Sequence, residues 1–86
     1  MKLNDLRKWL VDNNVPEHEY VINELGGGES DGVGFIDNSW CTYYSQRGHY
    51  ENIKKYESED AACRAFAEWI RYLMKGQYSI EIPPPT

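Results

Sequence analysis

The run Ser39-Trp40-Cys41-Thr42-Tyr43-Tyr44-Ser45-Gln46-Arg47-Gly48 holds the densest concentration of β-formers in this chain. Side chains alternate along an extended backbone, so Trp40, Thr42 and Tyr44 face one way and Cys41 and Tyr43 the other. Aromatic or small apolar types on both faces mark a central strand. Such a strand is covered on both sides, or covered on one and used for binding on the other. Gln46-Arg47-Gly48-His49 supplies turn chemistry, with Gly48 free to take positive φ.

The neighbouring segments read as partners of this strand. Val33 to Ile36 precedes it across Asp37-Asn38, a pair that suits a tight hairpin. Tyr50 to Tyr56 follows, and its charged content with paired Lys54 and Lys55 suggests a guarded edge. Tyr20 to Leu25 is a further strand candidate, and Gly26 to Gly32 reads as a flexible loop. As a phosphate cradle this loop fails, because no lysine follows as in a Walker loop and no helix opens after it. Glu29 and Asp31 would also repel a phosphate. The strands predict an antiparallel meander of three to four strands.

Two helical patterns flank the strands. Leu3 to Asn13 places Leu3, Leu6, Leu10 and either Trp9 or the stem of Arg7 on one stripe, and Asn13-Asn14 with Val15-Pro16 ends it. Ser58 is a strong N-cap followed by Glu59 and Asp60 in the first turn. Ala62, Cys63, Phe66, Ala67, Ile70, Leu73 and Met74 then form a continuous apolar stripe with Trp69 at its margin. The spacing predicts a helix over 58–75 with Gly76 as its C-cap. Tyr78, Ile80 and Ile82 alternate with polar residues as a short edge strand would, before the proline-rich tail 83–86. The expected architecture is a single α+β domain over residues 1–82. In it the meander is packed by an N-terminal helix and a longer C-terminal helix.

At 86 residues a chain buries roughly 60–65% of its unfolded surface, so most large apolar groups are needed in the core. Trp40 and Phe35 are assigned there. Cys41 and Cys63 fall at inward positions and read as buried hydrophobes rather than a disulfide framework. No run approaches a membrane span, no signal-peptide core is visible, and the expected location is cytoplasmic.

Charge narrows the function classes. Fourteen acidic against nine basic residues give a net charge of −5. Between Trp9 and Gln46 there is no Lys or Arg, while Asp12, Glu17, Glu19, Glu24, Glu29, Asp31 and Asp37 all lie in that stretch. Such a segment repels nucleic acid and suits a basic protein surface, although most acidic surfaces serve only solubility. A catalytic constellation is not evident. His18 and His49 sit in predicted turns, Glu17-His18-Glu19 lacks further metal ligands, and Cys41 is predicted buried among aromatics, which does not suit a thiolate nucleophile. No enzyme activity, cofactor or metal is expected. Tyr and Trp beside carboxylates match a protein–protein hot spot facing Arg and Lys.

The order of a short helix, glycine-interrupted acidic strands, the W-x-x-Y-Y-S-x-R-G run of Trp40 to Gly48, and the S-E-x-x-A-C opening at Ser58 to Cys63 resembles small immunity proteins of bacterial polymorphic-toxin systems. The resemblance spans roughly residues 3 to 73. It implies a cytoplasmic antitoxin that binds a cognate toxin domain with a basic active site and blocks it. On this reading Glu24, Glu29, Asp31, Asp37, Tyr43 and Tyr44 are the partner-binding residues, with carboxylates meeting the cationic cleft and one tyrosine filling it. The competing expectation is a small acidic adaptor, homodimeric through the Tyr50–Tyr56 edge and unrelated to toxins.

Overall fold

β3 (Ser39–Gln46) lies inside a four-stranded sheet, between β2 (Glu29–Ile36) and β4 (His49–Tyr56). The computed structural model describes residues 1–26 and 28–85. Both hairpins pair antiparallel, with Val33 opposite Thr42 and Thr42 opposite Lys54. Asp37 and Asn38 (φ 49° and 63°) turn the first hairpin, and Arg47 and Gly48 (φ 48° and 81°) turn the second. Two consecutive positive φ values give a turn whose twist matches the strands it joins. Asn52 (φ 51°) lies at an irregularity opposite the Thr42–Tyr44 stretch, which interrupts the ladder of β4.

The meander expected from the sequence is therefore present, but the fourth strand departs from it. β1 (Tyr20–Ile22) runs parallel to β2, with Tyr20 opposite Asp31 and Ile22 opposite Val33, so the sheet is mixed. Parallel neighbours ordinarily need a crossover of a dozen or more residues, whereas here residues 23–28 suffice. Its described residues 23–26 lie against the face of the sheet away from the helices, and Gly27 lies outside the described residues. Asn23 (φ 59°) donates its N–H to the Val33 carbonyl at 2.9 Å, and its Oδ1 accepts the Phe35 N–H at 2.8 Å. Gly34 lies directly beneath it, with the Asn23 Cα only 2.9 Å from where a Cβ would stand. The Tyr43 ring covers Gly32 in the same way, and its hydroxyl donates to the Glu24 carbonyl at 2.6 Å. Ser45 Oγ accepts the Gly26 N–H at 2.8 Å. Two side-chain-free positions in β2 thus make room for the short return. The second half of the glycine-rich stretch, from Glu29 on, is strand rather than loop.

α1 (Leu3–Asp12) and α2 (Glu59–Tyr78) cover the other face. Leu6, Leu10, Val33, Phe66, Ile70 and Met74 are fully buried between the layers. In α1 Trp9 takes the inward place and Arg7 stays exposed. A ten-residue helix is unstable alone in water. Burial of two leucines, each contributing about 1.5–3 kcal/mol, holds it here. Ser58 caps α2, its Oγ accepting the Ala61 N–H at 3.1 Å.

α2 runs past Gly76 and ends at Ser79, which takes φ 55°, while Ile80 N–H bonds the Met74 carbonyl at 3.2 Å. The strand expected over 78–82 is absent for a specific reason. Arg71 Nε donates to the Ile82 carbonyl and Trp9 Nε1 to the Pro83 carbonyl, both at 3.1 Å, so these groups bind the helix layer instead of a ladder. Ile82 is buried, and the segment straps the two helices together. Phe35 also departs from expectation, being 48% exposed at the sheet's end in edge-on contact with a half-buried Trp40. Cys41 and Cys63 are buried thiols, and burial pushes Cys63 up to about 11.

Candidate functional site

α2 crosses the sheet above β2 and β3 and leaves the helix-side surface of β3 and β4 partly open. The result is a groove of about 580 Å³. Its polar lining includes Asp31, Tyr44, Asn52, Tyr56, Trp69 and Gln77, over an apolar floor that includes Phe66 and Leu73. None of the described residues lining it is Lys, Arg or His.

The sheet register builds its acidic end. Asp31 on β2 and Glu51 on β4 stand on either side of Tyr44, so a carboxylate–phenol–carboxylate row crosses three strands. Directly opposed side chains in a sheet lie roughly 4.5–5.5 Å apart at Cβ, close enough for each to set its neighbour's field. Loss of solvent raises the Tyr44 phenol above its ordinary value, and the Glu29 and Asp31 carboxylates add to this. Burial likewise raises the Asp31 carboxyl; the Trp69 indole N–H pulls it back in part, and the Glu19 carboxylate pushes it further up. Glu19 also lies beside Tyr78, whose phenol is raised by loss of solvent and then by that carboxylate.

Helix α2 supplies the aromatic wall. Trp69 is 45% exposed and Tyr72 is 71% exposed. Their rings stack with centroids 5.5 Å apart at an interplanar angle of 28°. Large aromatic surface held in a fixed orientation beside carboxylates is the composition of a protein-binding patch.

Of the six residues expected at the site, the fold brings three together: Glu29, Asp31 and Tyr44. Asp37 sits in the β2–β3 turn, at the opposite end of the strands. Glu24 is exposed on the crossover, behind the sheet. Tyr43 is only 4% exposed and serves as the clasp of that crossover, its phenol raised to about 12 chiefly by burial. Trp69, Glu19 and Glu51 join the site without having been expected there. The sequence did hold a signal for Trp69, since Trp69 and Tyr72 put two large aromatics one turn apart outside the main apolar stripe. Glu51 is reached only through strand register, which composition does not encode.

Among the described residues no group of three His, Cys, Asp or Glu side chains is placed to hold a metal ion. Nor is any helix among them long and apolar enough to cross a membrane. Compared with known proteins, the chain matches no family model, no curated protein and no solved structure.

Proposed function

We propose that this chain is a binding protein that neutralises a cationic partner domain, in the manner of an immunity protein acting on a toxin with a basic active site. The observation that carries the reading is the row Asp31–Tyr44–Glu51 beside the exposed Trp69, an acidic and aromatic surface without a basic lining residue. A nuclease-type cleft lined with Lys and Arg is complementary to it. The carboxylates steer the encounter and take the place of substrate phosphates, and the aromatics supply the desolvated contact that slows release. Inhibition then follows from occlusion and requires no chemistry from this chain.

The test is co-purification with the product of the neighbouring upstream gene, followed by association kinetics against ionic strength. Charge-steered docking is expected to lose roughly tenfold or more in association rate between low and physiological-to-high salt. A rate indifferent to salt overturns the reading. Self-association in the absence of any partner would favour the second reading, an acidic adaptor dimerising through β4. That reading draws on the outer position of β4 in the sheet and on its exposed Ile53.

A further inference from the structure

We infer that the groove between α2 and β3–β4 receives one arginine side chain of the partner, with Asp31 as its anchor. The inference rests on the docking reading above and specifies what that surface recognises.

The chemistry of the lining selects the occupant. Its floor of Phe66 and Leu73 suits a methylene stem, and its rims carry Tyr44 and Trp69. A guanidinium is planar, weakly hydrated for a cation, and stacks on aromatic rings while forking into a carboxylate. A lysine ammonium would use the carboxylate but forfeit the stacking. The amide oxygens of Asn52 and Gln77, on opposite walls, are acceptors for the remaining N–H donors.

The chain's own cations do not fill this role. Arg64 pairs with Asp60 at 2.9 Å, and Arg71 pairs with Glu68 at 2.8 Å while also bonding the Ile82 carbonyl. Lys54 leans over the Tyr56 ring at 5.8 Å and is not among the groove's lining. Asp31, Glu29 and Glu51 therefore make no ion pair with Lys or Arg among the described residues. A half-buried carboxylate with like charges around it is unfavourable in the free protein, and an incoming guanidinium relieves that. Its presence is accounted for by what it binds.

The probe is the blocked tripeptide acetyl-Gly-Arg-Gly-amide, titrated into the intact chain while the Trp69 indole N–H resonance is followed by NMR. The control peptide carries citrulline, which keeps the shape and loses the charge. Saturable movement of the indole signal with the arginine peptide is expected, with affinity at least about tenfold weaker for citrulline. Asp31→Asn should weaken the arginine peptide by a similar factor, and Glu24→Gln, behind the sheet, should leave it unchanged. Equal response to the two peptides, or movement confined to residues away from the groove, overturns the inference. Because the two-peptide comparison uses the unaltered chain, it decides even if a variant folds poorly. Failure here with salt-dependent capture of a cationic domain intact would remove the arginine site and leave the docking function. Success here with no captured partner would do the reverse.

Discussion

Gly32 is the residue on which two layers meet, for the Tyr43 ring lies where its Cβ would be. A methyl group there would drive out a ring that is buried and hydrogen-bonded to the Glu24 carbonyl, so neither partner yields easily. Gly32→Ala is expected to destabilise the fold by about 1–3 kcal/mol, measured as a lowered urea midpoint with an unchanged slope. Asp31 acts in the opposite sense. Its carboxyl is raised above the ordinary 3.8 first by burial, so the folded state resists ionising it. The favourable balance is fully present below pH 3.8 and is lost as pH climbs through the higher folded value. Asp31→Asn should therefore be more stable than the natural chain at neutral pH, with the difference vanishing in acid, as thermal melts across pH would record. Stability rising while arginine binding falls is the signature of a residue kept for binding.

At the level of elements, α2 was almost fully legible. Ser58 with its following acids and the stripe from Ala62 to Met74 announce it, and only its end lies beyond the expected position. Glycine is a sound C-cap signal because it takes positive φ cheaply, yet Gly76 remains helical and Ser79 turns the corner. A Cβ at Gly76 would meet nothing within 4 Å. Gly76→Ala should then stabilise the helix by roughly 0.5–1 kcal/mol, seen as a rise of several degrees in Tm. The position borders a small hollow of about 260 Å³ beside Trp69 and Tyr72, which an alanine would narrow. The strands were legible in place and hairpin pairing, because alternation and turn residues are local. β1 was not legible in direction. Parallel pairing through so short a link depends on Gly32 and Gly34 lying under Asn23 and Tyr43, contacts between residues that sequence spacing does not connect.

For the molecule as a whole, composition foresaw the charge but not its distribution. The seven acids between Trp9 and Gln46 are spread over α1, the turn before β1, the crossover, β2 and the β2–β3 turn, and the fold gathers Glu19 and Glu29 around Asp31 and Tyr44 while Glu51 joins from the basic-containing half. The helix–sheet layering, by contrast, followed from periodicity alone. The crossover behind the sheet also imposes an order of assembly. The two hairpins close through contacts a few residues apart, but β1 finds its berth only once Tyr43 and Ser45 stand ready on a formed β3 to receive the link. Entry of β1 and the α1 it carries is thus expected late in folding. Native-state hydrogen exchange is expected to show the Tyr20–Ile22 amides opening more readily than those of β3, and equal protection of the two strands would contradict this order.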